Sequence, residues 1–432
     1  MKILTLSRLR FRAWTVLLAA AGFSLMACED ELEPPYQVVD EGGFATIGSP
    51  PAGLQTKYAP GEMVALVVGF NANDRVRDFT VFQVIGRTDS AVVATVPLGT
   101  TIFQPAAGLT AQIIPYKVPD NLANKTAVRV DVTTTFENGA TRLRRFTYNV
   151  AAAPTLRFGT TASPTAITVF RNNLAATAQT EGDIVGYNLV LNEGGIATLP
   201  TPPATTTATL FKNVDSLTTF YRIGAGAPVR AGVIRNPSTG AANARTVDVT
   251  VPNGSRGQTV TFSFTAYSGP YTATVTAAPV GVVAPTVFSR VRTGRVTAGS
   301  NSPQDSASFD LRLGTNVANS AAAATKDVYA YVTTTSTGAN AVGLRAENTT
   351  VFYRIPAAQA AAGYYNTATA NAVGTLMFQN TASLSGNPGV VAPGDVFAVR
   401  VRGAEPMLLR VVGTRLSTAG STARITFEYR AF

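Results

Sequence analysis

The chain has 432 residues, with 35 Lys and Arg against 25 Asp and Glu, a formal net charge of +10. It has no histidine and a single cysteine, which excludes Ser-His-Asp and Cys-His catalysis, His-bearing zinc sites and any internal disulfide. Charged residues make up only 14%, against the usual quarter or so, and the basic ones are scattered rather than clustered, so nucleic-acid binding is not indicated.

The N-terminus has the parts of a secretory signal over residues 1–27. Lys2, Arg8, Arg10 and Arg12 precede an uncharged run from Trp14 to Leu25, and small residues then lead into Cys28. The run is too short to span a bilayer, which takes about 20 apolar residues. Removing it takes away the only Trp and four of the 35 basic residues but no acid, leaving +6. The four residues Leu25-Met26-Ala27-Cys28 resemble a bacterial lipobox. That resemblance implies cleavage before Cys28 and fatty acylation of its thiol, with several acyl chains giving the stable membrane anchor that one chain cannot. Glu29, Asp30, Glu31 and Glu33, followed by Pro34-Pro35, resemble the surface-export signal of lipoproteins in the Bacteroidota. That implies an outer-membrane protein facing the cell surface. The composition alone predicts a solvated tether over 28–54.

Beyond the tether the pattern predicts β-structure. In "VRVDVTTTF" (128–136), Val128, Val130 and Val132 alternate with polar residues, the period of a half-buried strand. "ENGA" follows, with Asn138-Gly139 as a two-residue hairpin turn, and "TRLRRFTYNV" (141–150) returns. Counting back from that turn opposes Val132 to Arg145. A β-bulge at Arg144-Arg145 would restore apolar pairing, placing Val132 against Phe146 and Leu143 on the inner side.

Three ordered blocks repeat. "GEMVALVVGFN" (61–71) aligns with "GDIVGYNLVLN" (182–192), "FTVFQVIG" (79–86) with "LTTFYRIG" (217–224), and "VPDNLANKTAVRVDV" (118–132) with "VPNGSRGQTVTFSFT" (251–265). Two copies of one domain, 55–152 and 153–281, account for them. Short strands between turn signals fit antiparallel sandwiches. The layout resembles the immunoglobulin-like and fibronectin type III-like modules of bacterial surface lipoproteins, without the core Trp and paired cysteines of true immunoglobulin domains.

The last segment, 282–432, reads as a β-rich module with one short helix. "ASFDLRLG" (307–314), "KDVYAYVTTT" (326–335) and "TVFYRI" (350–355) read as strands. "PAAQAAAGYY" (356–365), led by Pro356, reads as the helix. "GDVFAVRVRG", "MLLRVVGTRL" and "ARITFEYRAF" form a meander. Ile425, Phe427, Tyr429 and Ala431 share one face while Phe432 lies on the other, which speaks against a barrel strand with a lipid-facing terminal aromatic. The fold class is therefore all-β: tandem antiparallel sandwiches plus the C-terminal module.

Few residues offer chemistry. Arg129, Arg142, Arg144 and Arg145 crowd one hairpin, either as a patch for an anionic glycan or lipid headgroup or as a charged edge that deters strand pairing. Ser90, Ser216 and Ser306 each sit in an Asp-Ser-apolar triplet that matches the O-glycosylation pattern of the Bacteroidota. Asp74, Asp78 and Asp89 lack calcium-loop spacing, and no metal or cofactor is expected. Tyr364-Tyr365 could stack on a sugar ring or pack the end of the helix. The functional expectation is a non-catalytic, lipid-anchored surface protein serving as spacer and interaction module for an extracellular protein or glycan. The alternative is a glycan-binding accessory lipoprotein of a TonB-dependent uptake system, which the absence of Trp disfavours.

Overall fold

The computed structural model describes residues 43–48, 53–86, 90–172, 174, 178–202, 205–299 and 306–432. Cys28 and the acids after it lie outside these residues, as does Asp89. The described chain is antiparallel β-structure almost throughout and divides into two compact units. One holds most of the first repeat. The other takes Val150–Phe432 together with the short segments Lys57–Pro60 and Leu122–Lys125.

In the first unit the strands are β1 (Ala45–Gly48), β2 (Met63–Phe70), β3 (Val76–Ile85), β4 (Ala91–Pro97), β5 (Ile102–Gln104), β6 (Leu109–Lys117), β7 (Ala127–Phe136) and β8 (Thr141–Val150). They form two layers, β1-β2-β6-β5 and β8-β7-β3-β4. Residues 43–48 are therefore not all tether, since β1 pairs with Val67–Phe70. Leu66, Phe79, Ile114, Val130 and Tyr148 are all buried, the inward halves of alternating strands.

The repeat recurs in the second unit as β9 (Leu156–Phe158), β10 (Thr168–Phe170), β11 (Ile184–Leu191), β12 (Val214–Ile223), β13 (Val229–Ser238), β14 (Asn243–Thr250), β15 (Thr259–Ser268) and β16 (Tyr271–Thr276). Here β9, β10 and β14 pair with β11 in one layer, and β13-β12-β15-β16 make the other. The copies agree down to single hydrogen bonds. Gly61 donates to Val118 (3.0 Å) and Val118 to Glu62 (2.9 Å), while Gly182 donates to Val251 (3.0 Å) and Val251 to Asp183 (2.8 Å). Both Gly61 and Gly182 hold a positive φ, at 76° and 86°, which a side chain would resist. The aligned blocks are thus the same strand starts in two sandwiches.

The third module shares the second unit. Its strands are β17 (Arg290–Gly299), β18 (Ser308–Asp310), β19 (Thr315–Val317), β20 (Val328–Thr334), β21 (Asn340–Arg345), β22 (Val351–Arg354), β23 (Gly389–Val390), β24 (Val396–Val401), β25 (Glu405–Leu416) and β26 (Thr422–Ala431). They build two five-stranded sheets, β17-β26-β25-β24-β22 and β19-β18-β20-β21-β23. Between the sheets lie Phe309, Leu344, Phe397, Leu409, Ile425, Phe427 and Tyr429. The expected meander and its facing are present, with Phe432 partly exposed. Val396, Ala398 and Leu408 point to the opposite side and meet Tyr365, Val373 and Met377 in a second cluster. Burial on both faces explains why these strands read as continuous apolar runs.

Three helices, not one, lie between β22 and β23: α1 (Ala357–Ala361), α2 (Tyr364–Thr367) and α3 (Ala370–Gln379). Pro356 stands at the N-cap position of α1, whose first turn has no side-chain cap. The longest, α3, starts at Thr369, whose hydroxyl accepts from Ala372 N–H at 3.3 Å. It carries the junction between the second sandwich and this module. Asp183, buried at the start of β11, accepts from Asn172 Nδ2, Thr180 N and Asn371 Nδ2, each at 2.9 Å, and from Thr375 Oγ1 at 3.3 Å. Two of these donors sit on α3. Asn371 Oδ1 in turn accepts from Thr286 N–H at 2.9 Å. Gly374 faces Asn172 so closely that a Cβ would lie 2.0 Å from its carbonyl oxygen.

The hairpin differs from its sequence expectation. Phe136 N–H bonds to Ala140 C=O at 2.9 Å around a three-residue turn, Glu137-Asn138-Gly139, with Gly139 at φ 82° and Asn138 Oδ1 accepting from Ala140 N–H. The extra turn residue shifts the register by one without any bulge at Arg144-Arg145, so Val132 opposes Arg144 and Val130 opposes Phe146. Leu143 is exposed rather than inward. Asp131 opposes Arg145 and takes its guanidinium at 2.6 and 3.1 Å. Leu143→Thr should therefore change stability by less than about 0.5 kcal/mol, while Arg145→Thr should measurably lower the urea midpoint. Gly139→Ala should cost about 1 kcal/mol. A larger loss for Leu143→Thr than for Arg145→Thr would contradict this register.

Candidate interaction surface

Strand alternation separates the four arginines. Arg129 and Arg145 flank Asp131, with Arg129 Nε 3.2 Å from its carboxylate. Arg144 points the other way, and its Nε donates to Ala45 C=O at 2.5 Å. Arg142 follows Arg144 on that side and is engaged as well. The four do not form one cationic patch: β-pleating assigns them to two faces, and Asp131 offsets the charge on one of them.

The three serines differ in setting. Ser90 is exposed just ahead of β4, Ser216 is half-buried in β12 with strands paired on both sides, and Ser306 is half-buried. Asp74 is occupied by the N–H groups of Phe44 (2.9 Å) and Asn71 (3.3 Å), and Asp78 by Arg77 at 2.8 Å. Tyr365 is buried beneath the Arg410 guanidinium, which lies 4.6 Å from its ring centre. Burial pushes both tyrosine hydroxyls, Tyr364 and Tyr365, up to about 12. The pair packs the helical segment, Tyr365 within the second core cluster and Tyr364 against it. Among the described residues there is no group of three or more His, Cys, Asp or Glu suited to a metal ion, and no helix is long and apolar enough to cross a membrane.

The densest charged cluster serves the fold. Arg402, at φ 50°, donates to both oxygens of Asp327 (3.0 and 2.9 Å) and reaches Asp310 at 2.7 Å. Asp327 also accepts from Asn348 Nδ2 (2.7 Å), Thr350 Oγ1 (3.0 Å) and Leu311 N (3.0 Å). Both aspartates are buried. Burial alone would raise the Asp310 pKa, but N–H donation from Leu313 and Arg312, together with Arg402, holds it below the ordinary carboxylate value. Every oxygen faces a donor built into the module, so the cluster ties β18, β20 and the β24–β25 turn together and leaves no group free for substrate.

A wide concavity lies in the second sandwich. A groove of about 830 Å³ runs between the edge strands β13 and β14, lined by Arg230–Ile234 on one side and Thr246–Asn253 on the other. The first copy shows why it is open. There, eleven residues (98–108) join the equivalent strands, and three of them form β5, which pairs antiparallel with Leu109–Ala111. In addition, the Gln112 amide bridges the layers, donating to Pro97 C=O at 3.1 Å and accepting from Gly99 N–H at 2.7 Å. In the second copy only four residues (239–242) join β13 to β14, too few to add a strand. Repeat register places Arg245 where Gln112 stands and Arg235 where Pro97 stands. Arg245 turns its Nε to Asn243 Oδ1 at 3.0 Å on its own strand, so it does not bridge the layers as Gln112 does. Sequence reading overlooked this site, although the shortened connection was legible once the copies were aligned.

Acid should expose the role of the Arg402 cluster. A depressed folded pKa contributes stability that is complete above the unfolded value near 4 and is lost as pH falls through the lower folded value. Arg402→Met should cost about 3 kcal/mol at pH 7, the low end for stranding buried charge. The gap from wild type should narrow as pH drops below about 4. Urea midpoints of the two proteins at pH 7 and pH 3 measure both effects, and a gap that stays constant would contradict the linkage.

No protein-family model matches this chain, and no curated protein matches it. Among solved structures it is similar to a DUF4466 family protein from Parabacteroides merdae, at 10% identity and a TM-score of 0.23, over 65% of this chain and 100% of that one. It is also similar to a two-domain fibronectin type III segment of chicken tenascin, at 10% identity and a TM-score of 0.18, over 54% of this chain and 98% of that one. Neither superposition is close enough to carry an argument, and the sandwich fold rests on strand order and register.

Proposed function

We propose that the protein is a lipid-anchored envelope protein, displayed on the outer-membrane surface, whose β-sandwich modules act as spacer and interaction elements without catalysing a reaction. The observation that carries this reading is the use made of the buried acids. Asp183, Asp310 and Asp327 are each committed to neighbouring donors of the fold. Neutral-pH acid–base chemistry favours a group that titrates there, and histidine is missing from the sequence. Paired carboxylates could substitute across a cleft, yet the groove of the second sandwich bears a single acid, Asp248, which Arg171 holds at 2.8 Å, and where Glu181 and Asp183 line one concavity Asp183 is already taken by donors of the fold. The lipobox at Leu25–Cys28 and the acids after it support anchoring and export. The tandem sandwiches suit a protein that projects a binding edge from a membrane.

Two measurements test the proposal. Cys28→Ser should abolish fatty-acid labelling and leave an uncleaved precursor, whereas unchanged labelling would remove the anchor. Polysaccharide, peptide and ester substrates should give only background turnover. Activity lost on replacing one Asp or Glu, with the fold retained, would replace the reading with an enzymatic one.

A further inference from the structure

We propose that the open groove of the second sandwich binds an extended, acidic peptide segment of a partner protein, added as an antiparallel strand along the free edge of Asn243–Thr250. This rests on the interaction-module reading above and names the surface that would carry it.

The first copy supplies the pattern for the occupant. Its equivalent strand, Leu109–Lys117, is bonded on both edges, by Met63–Phe70 and by Ile102–Gln104. In the second copy Asn243–Thr250 pairs with Ile184–Leu191 alone. At the near end, Ala242 N–H is taken by Gly195 C=O at 3.1 Å, so the unpaired edge begins at Asn243. An edge of this kind presents a row of unsatisfied N–H and C=O groups that a peptide in extended conformation completes. The facing wall, Val229–Ser238, is itself an edge strand, and its Val233, 42% exposed, lines the groove. Alternating side chains of an incoming strand would meet this valine on one side and solvent on the other.

Charge selects among peptides. Arg230 lines the groove, Arg235 lies on the same strand, and Arg245 is half-buried on the opposite edge strand. Among the described residues none of the three is in an ion pair. The groove's only acid, Asp248, is engaged by Arg171. Arg230 is therefore the groove's own un-neutralised cation, with Arg235 and Arg245 on the strands beside it and Arg245 keeping only its Nε on Asn243 Oδ1, and carboxylates on the peptide would meet planar donors in a geometry well matched to bidentate contact. Charged edges often serve only to discourage pairing. Here the long flanking strand, the exposed Val233 and the lack of the covering segment found in the first copy all favour occupancy.

The test titrates the purified chain against two fluorescein-labelled octapeptides, one alternating valine with glutamate and the other valine with lysine, following anisotropy. The glutamate peptide should bind at least tenfold more tightly than the lysine peptide. Its binding should slow hydrogen exchange at alternate amides within Asn243–Thr250, with no change in Leu109–Lys117. Arg230→Gln should weaken binding several-fold and Arg230→Glu more. The site is exposed, so both variants should melt with the wild type. Equal binding of the two peptides, no binding, or protection elsewhere would overturn the proposal. A galacturonate hexamer that competes at these residues without slowing any amide would assign the groove to an anionic glycan instead. Peptide binding is measured without the lipid, so its failure is distinct from failure of the anchoring test.

Discussion

The second unit depends on one buried carboxylate. Asp183 receives donors from its own sandwich, Asn172 and Thr180, and from the helix of the following module, Asn371 and Thr375. A buried charge is tolerable only where such donors replace water. The Asn371 amide on the helix depends on the carboxylate in turn, because an amide left buried without a partner costs free energy, whereas Asn172 Nδ2 also donates to Gln179 Oε1 at 3.1 Å. The arrangement therefore holds only when sandwich and helix are together. Around it, Gly374 lets the helix backbone approach Asn172, Arg171 stacks over Phe378 at 4.9 Å, and Leu174 packs on the helix core. Two modules that the sequence separates at 281–282 become one compact unit.

The first copy has an acid in the same place, Glu62, also buried. The sandwich scaffold is thus shared, down to the glycine and the two hydrogen bonds beside that acid, while the surroundings have diverged. Divergence is greatest at the edges. The first copy covers one edge with Ile102–Gln104 and bridges its layers through Gln112, whereas the second, with its shorter connection, lacks the covering strand. With no disulfide available, neither copy can staple such an edge covalently, and stability rests on core packing and on polar clusters such as that of Arg402.

How far the sequence revealed this follows from the range of the forces involved. Alternation in Val128–Val132 and Ile425–Ala431 is local and survived intact. So did the repeat, because identical turns need the same glycines. The hairpin turn did not: Asn138-Gly139 suits both a two-residue and a three-residue turn, and the choice moved every pairing by one. The helix Ala370–Gln379 was missed because it is short, carries no charge and has Gly374 at its middle. Its Thr369 cap and the stripe of Asn371, Thr375 and Gln379 at helical spacing were the legible signals. Asp183, Asp310 and Asp327 look like ordinary surface acids in sequence. Their partners lie up to 192 residues away, and only the fold brings them together.

The central claim is that Asp183 makes the second sandwich and the C-terminal helix one cooperative unit. Native-state hydrogen exchange under increasing denaturant tests it most directly. In the wild type, the slowest amides of Ile184–Leu191 and of Ala370–Gln379 should open with the same free energy. In Asp183→Ala the helix amides should open at lower free energy than those of the strand, by about 2 kcal/mol for the stranded donors. Helix and strand amides that still open together in the variant, at the wild-type free energy, would contradict the account.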